Sequence, residues 1–170
     1  LSIIDERDKG MIAYTMELLD GTDLADCFFN LNGSTLIEIF AVVCETLAKL
    51  HHKGIIHRDI KSANIFVSSP DQDNTRTIKL IDFGVAKVLQ AKSLMESTAT
   101  GVIVGTIQTL APESIKRLSG EDVELSWSVD QWGIGIALYH CLSSRLPFNN
   151  PSVLQLIHDI QEKPTPALIL

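Results

Sequence analysis

An α+β domain is predicted by three features of this 170-residue chain: hairpin signals over residues 2–18 and 65–81, a long helical stripe over residues 34–53, and two later helical stretches at 129–142 and 152–162. The length suits one ordinary domain. A hydrophobic fraction of 45% with 21% charged residues is the composition of a chain that folds around a core, not of a disordered one.

The first hairpin is read from β-like runs at residues 2–4 and 11–18, which flank the charged, glycine-containing turn at 6–10. The long helix follows from Leu36, Ile39, Phe40, Val43, Leu47 and Leu50, spaced by three and four; Ser34 is expected to start it, with Glu38 near its first turn, and Gly54 to stop it. Strands at 65–67 and 78–81 are joined by a polar connection that holds Pro70, Asp71, Asp73 and Asn74. Residues 86–104 lack a period and carry Ser93, Ser97, Thr98 and Thr100; with residues 119–122 they read as mobile loops. The stretch at 129–142 is almost wholly apolar and is expected to be buried, whereas Val153, Leu156, Ile157 and Ile160 give the last helix one apolar face.

Charge and cysteines narrow the function. Fourteen Lys and Arg against twenty-one Asp and Glu give a net charge of −7, which argues against nucleic acid as a partner. Cys27, Cys44 and Cys141 are odd in number and form no C-x-x-C pair, so they read as reduced thiols of a cytoplasmic protein. The weakly charged run at 125–144 contains Ser126, Ser128, Asp130, Gln131 and His140, too polar for a membrane span. The chain opens on Leu1 and runs into charged residues 5–9 without the order of a signal peptide, and is expected to begin inside a larger protein.

The densest chemistry lies between the long helix and the strand at 65–67: His57, Arg58, Asp59, Lys61 and Asn64. Asp59 offers a carboxylate to accept a proton, Lys61 a cation to balance phosphate charge, and Asn64 an amide oxygen for a hard metal ion. Asp82-Phe83-Gly84 follows the next strand and puts a second carboxylate at its end, suited to Mg²⁺. Glu121, Asp122 and Glu124 read as a solvated loop, His57 as a residue packed under its loop, and His51 and His52 as helix-end residues favourable to the dipole.

With Ala111-Pro112-Glu113, these motifs form an ordered set, H-R-D-x-x-x-x-N, D-F-G and A-P-E, that resembles the eukaryotic protein-kinase family. Asp130, Trp132 and Gly135 look like the family's D-x-W-x-x-G helix, in which the Asp anchors the catalytic loop, and Pro147-Phe148 matches the end of the loop after it. Residues 16–21 are similar to the hinge between kinase lobes. The resemblance implies a truncated protein-kinase-like fold: residues 1–19 ending the N-terminal lobe and hinge, and 20–170 forming an incomplete, mainly helical C-terminal lobe.

The same resemblance implies a protein serine/threonine kinase that uses ATP and Mg²⁺, with Lys61 and Gly105-Thr106 favouring the Ser/Thr branch. Asp59, Lys61 and Asn64 would be catalytic, Asn64 and Asp82 would hold metal, and Met16, Glu17, Leu19, Asp23, Phe66 and Asp82 would hold the nucleotide, Met16 as gatekeeper. Arg58, Ser97, Thr98, Thr100 and Thr106 would be regulatory, through loop phosphorylation by an upstream kinase. Glu113 would pair with an arginine beyond this chain, and protein substrates are the expected partners. Against the pattern, no glycine-rich loop precedes residue 16, and no strand lysine with its helix glutamate is found. The implied enzyme is therefore the parent, this chain alone being inactive; the alternative is a non-catalytic kinase-like binding module.

Overall fold

The computed structural model describes residues 2–6, 11–15, 17–71, 75–84 and 107–168. Met16, Ser97, Thr98, Thr100 and Thr106, and the segment at 86–104, lie outside the described residues.

Strands β1 (Ser2–Glu6) and β2 (Met11–Thr15) form the expected antiparallel pair, in register from Ser2 opposite Thr15 to Glu6 opposite Met11. The second strand ends at Thr15, three residues short of the expected boundary, and residues 17–20 take no regular structure. A second sheet is made of β3 (Gly21–Asp23), β4 (Ile65–Ser68) and β5 (Ile78–Leu80), antiparallel throughout and with β4 central. The β4–β5 hairpin is the one expected. Strand β3 was not, because Gly-Thr-Asp carries no alternating pattern; pairing with β4 makes it a strand. That pairing needs glycine at position 21, which sits at φ +144 where a Cβ would come within 2.3 Å of the Val67 carbonyl oxygen.

Helix α1 (Leu24–Cys27) follows, capped by Asp23, whose side chain accepts from the Asp26 amide. The long helix α2 (Gly33–His51) buries Leu36, Ile39, Phe40, Val43 and Leu47, the stripe its spacing predicts. Its start differs from expectation: Asn32, not Ser34, is the cap, its Oδ1 accepting from the Thr35 amide at 2.8 Å and from the Ser34 hydroxyl at 2.6 Å. Asn is as good a cap as Ser, and here its carboxamide serves both donors. Gly54 ends the helical turn as expected, in the left-handed region at φ +73.

Helices α3 (Pro112–Leu118), α4 (Ser128–Ser143) and α5 (Val153–Glu162) complete the fold. Helix α3 begins with proline at its first position, where the missing amide hydrogen costs nothing. The main core joins α1, α2, β4 and α4 through residues such as Leu24, Val43, Leu47, Ile65 and Ala137. A second cluster sets Ile107 and Ile115 against Ile136, Phe148, Leu156 and Ile160. All three cysteines are free thiols, and burial pushes Cys141 up to about 12. Among the described residues, no helix is long and apolar enough to cross a membrane.

Candidate active site

The C-terminus of α2 and the first two turns of α4 hold the loop at residues 55–61 between them. Asp130, on the first turn of α4 and 0% exposed, accepts hydrogen bonds from the His57 amide (2.9 Å, Oδ2), the Arg58 amide (2.7 Å, Oδ1) and His51 Nε2 (2.8 Å, Oδ2). A carboxylate this deeply buried is tolerable because donors surround it. One consequence is backbone shape: Arg58 sits at φ +67, a conformation costly for a residue with a Cβ, and the hydrogen bond its backbone amide donates to Asp130 helps to hold it there. One turn further along α4, a Cβ on Gly133 would come within 2.6 Å of the Ile60 carbonyl oxygen, so glycine lets the helix lie directly on the loop.

Asp59 follows Arg58. The Asn64 side-chain amide donates to both the Asp59 backbone carbonyl (2.7 Å) and its carboxylate Oδ2, while Lys61 Nζ stands 3.6 Å from the same oxygen. Asn64 is itself buried on a single 3-10 turn (Ser62–Asn64), and its carbonyl accepts from the Ile81 amide at 3.0 Å. That bond ties the loop to the end of β5, where Asp82 stands exposed at φ +56. Two residues on, the Gly84 amide donates to the His57 carbonyl at 2.9 Å, and a Cβ on Gly84 would lie 2.7 Å from Asp59 Cβ. The His57 ring, fully buried, stacks on Phe83 with centroids 4.5 Å apart. Burial pushes the His57 imidazole below its ordinary range, outweighing the pull of Asp130 and Asp59.

The catalytic and metal residues expected from sequence, Asp59, Lys61, Asn64 and Asp82, are thus carried by one hydrogen-bonded unit, with Arg58 exposed at its edge. A family model described as protein kinase domain matches residues 3–167. The chain belongs to the protein kinase family. It is 34% identical over 157 residues to the serine/threonine-protein kinase Pkn1 of Myxococcus xanthus, covering 91% of this chain and 22% of that protein. It is 34% identical over 166 residues to the serine/threonine-protein kinase PknB of Mycobacterium tuberculosis (95% and 25%), and 36% identical over 152 residues to PknF of the same organism (85% and 30%). This kinase domain therefore spans less than a third of the length of these relatives.

Of the residues expected from sequence to hold the nucleotide, Glu17, Leu19, Asp23 and Phe66 gather at the three-stranded sheet and the segment before it, apart from the loop. Glu17, Leu19 and Phe66 line one small cavity of about 170 Å³ with Lys79 and Thr77. Asp23, Phe66 and Lys79 stand opposite one another across β3, β4 and β5 and share a face of the sheet. The Glu17 carboxylate is engaged with Lys79, at 2.7 Å from each oxygen, and Asp23 Oδ1 caps α1. For the family's divalent metal, the chemistry of the donor set fits: Asn64 spends its amide nitrogen on Asp59, which leaves an amide oxygen, and Asp82 adds a carboxylate. Two hard oxygen donors, the rest left to water and phosphate, is a Mg²⁺-type arrangement.

Two residues of the site escape sequence reasoning. His51 is not simply a dipole residue: it closes the Asp130 cluster, and the signal was its place four residues after Leu47 on the buried stripe of α2. Lys79 gave no signal, since its partner is 62 residues away. Glu113 accepts from the Ser128 hydroxyl at 2.7 Å, beside a cavity of about 430 Å³ shared with Trp132 and Pro147.

Proposed function

We propose that this chain is the hinge and C-terminal-lobe part of a protein serine/threonine kinase, residues 1–19 and 20–170 respectively, acting on Ser and Thr hydroxyls of protein substrates in the cytoplasm. The observation that carries the reading is the fixing of Asp59 by Asn64 and Lys61 within a loop that Asp130 holds from below. Retention of Asp59, Asn64 and Asp82 together favours catalysis over a partner-binding module that merely shares the fold.

MgATP, when bound, supplies the transferable phosphoryl group and the metal charge that offsets its oxygens. Asp59 orients the substrate hydroxyl and takes its proton at a carboxylate oxygen. Lys61, already paired with that carboxylate, stands ready to balance negative charge on the transferring group. Asn64 and Asp82 hold the metal; the Leu19 backbone, Asp23 and Phe66 hold adenosine, with Met16 and Glu17 framing the hinge. Arg58, exposed beside Asp59, would receive a phosphate placed by an upstream kinase on Ser97, Thr98, Thr100 or Thr106.

Transfer of labelled phosphate from MgATP to a Ser/Thr peptide mixture tests this in the protein purified from its source. Asp59→Asn is expected to lower the rate by about 10²- to 10⁴-fold. An undiminished rate would remove Asp59 as the base, and no transfer by the unsubstituted protein would favour the binding module.

A further inference from the structure

Residues 17–20 form the hinge-like stretch of the chain, yet they belong to no strand or helix. Among the described residues, two polar contacts tie them to β5 and to the residue that follows β4. The Ser69 amide donates to the Asp20 carbonyl at 3.2 Å, and Lys79 Nζ lies 2.7 Å from both carboxylate oxygens of Glu17. The second contact is a symmetrical charge pair whose partners are 62 residues apart in sequence, joining two segments that are otherwise separate in the chain.

The positions of the two partners matter more than the strength of the bond. Glu17 precedes Leu19 by two residues, and Lys79 precedes Asp82 by three. In the functional reading above, Leu19 meets the adenine end of the nucleotide and Asp82 the phosphate and metal end. Lys79 is on β5, which is hydrogen-bonded to β4, and its side chain shares a sheet face with Phe66 and Asp23. The ammonium is therefore anchored on a fixed strand, while Glu17 lies on the irregular segment that it restrains.

We infer that Lys79 is a positioning residue for the nucleotide: its pair with Glu17 is a strut that sets the separation between the hinge and the Asp82 end of the site. This rests on the kinase reading. Lys79 itself touches no reacting atom. A ligand long enough to engage both ends should feel the strut, whereas one that engages the hinge alone should not. Because the side chains are 38% and 69% exposed, the expected effect is modest and sensitive to salt.

Equilibrium binding of a fluorescent ATP analogue with Mg²⁺, alongside adenosine as a competitor, tests the inference in the same purified protein. Lys79→Glu and Glu17→Lys are each expected to raise the Kd for the ATP analogue about three- to fivefold at low salt. In Lys79→Glu, adenosine affinity and the urea midpoint should stay unchanged. The double charge swap should restore ATP affinity to within about twofold, and the single-variant losses should shrink at 0.5 M salt.

Single variants that bind like the parent, or a swap no better than the singles, would overturn the strut. So would an equal loss for adenosine, which would confine the effect to the hinge. Absence of ATP binding by the unsubstituted protein would instead overturn the kinase reading, and the strut with it.

Discussion

The loop at residues 55–61 and the hinge-like segment at 17–20 are both irregular stretches that the proposed function assigns to one site, but they are held by different physics. Residues 55–61 are pinned from inside by a fully buried carboxylate, by the Gly84 amide on the His57 carbonyl, and by two glycines that permit backbone contact. Among the described residues, 17–20 are held from outside by one backbone hydrogen bond and an exposed ion pair, and Leu18 beside that pair is 96% exposed. Buried hydrogen bonds to a charge are worth more than exposed pairs and are costly to leave half made. The loop that carries Asp59 is therefore rigidly determined, and the segment assigned to adenine is adjustable.

The largest expected effect tests the rigid side. Asp130→Ala removes the acceptor of the buried His57 amide, of the Arg58 amide and of His51, and should cost about 3–5 kcal/mol in urea unfolding. His51→Leu removes one donor of three and should cost less, about 1–3 kcal/mol. Equal costs would mean that His51 alone fixes the cluster. A loss below about 1 kcal/mol for Asp130→Ala would erase the contrast between the two regions.

This contrast also marks what the sequence could convey. Asp59, Asn64, Asp82 and Asp130 were legible because their motifs are short and ordered, and the α2 stripe was legible because Leu36 to Leu47 repeat with helical spacing. Strand β3 was not, since a three-residue strand exists only through its partner. Neither was the Asn32 cap, because Asn32 and Ser34 are both good caps and only the folded chain shows which carboxamide or hydroxyl meets the Thr35 amide. His51 and Lys79 depend on tertiary neighbours 79 and 62 residues away, which local pattern does not encode.

A smaller effect is expected from pH. Burial holds both His57 and His140 below the ordinary histidine value of 6.5, so both favour the neutral form when folded. Unfolding lets them take up protons below about pH 6.5, and the unfolded state then binds more protons than the folded one. Stability from these groups is complete above that value and is lost as pH falls towards their lowered folded values. Asp159 adds nothing in this window, because the hydrogen bond from Lys163 first, and that from Gln155 next, hold its carboxyl down at about 2. Thermal unfolding should therefore show a lower Tm at pH 5.5 than at pH 7.5, and a flat or rising Tm would count against burial as the dominant influence on these rings.

The smallest effect belongs to the hinge. Glu17→Gln keeps the shape of the side chain and deletes its charge, so Lys79 loses a partner that it meets largely in solvent. Exposed pairs of this kind contribute about 0–1 kcal/mol, since water and salt already stabilise each charge separately. Urea unfolding of Glu17→Gln should fall within about 0.5 kcal/mol of the parent. A cost approaching that of His51→Leu would place the hinge in the same class as the catalytic loop. A negligible cost, together with weakened ATP binding, would show that an interaction too weak to matter for folding can still set the spacing of a site, because binding reads geometry while unfolding reads only the energy of the pair.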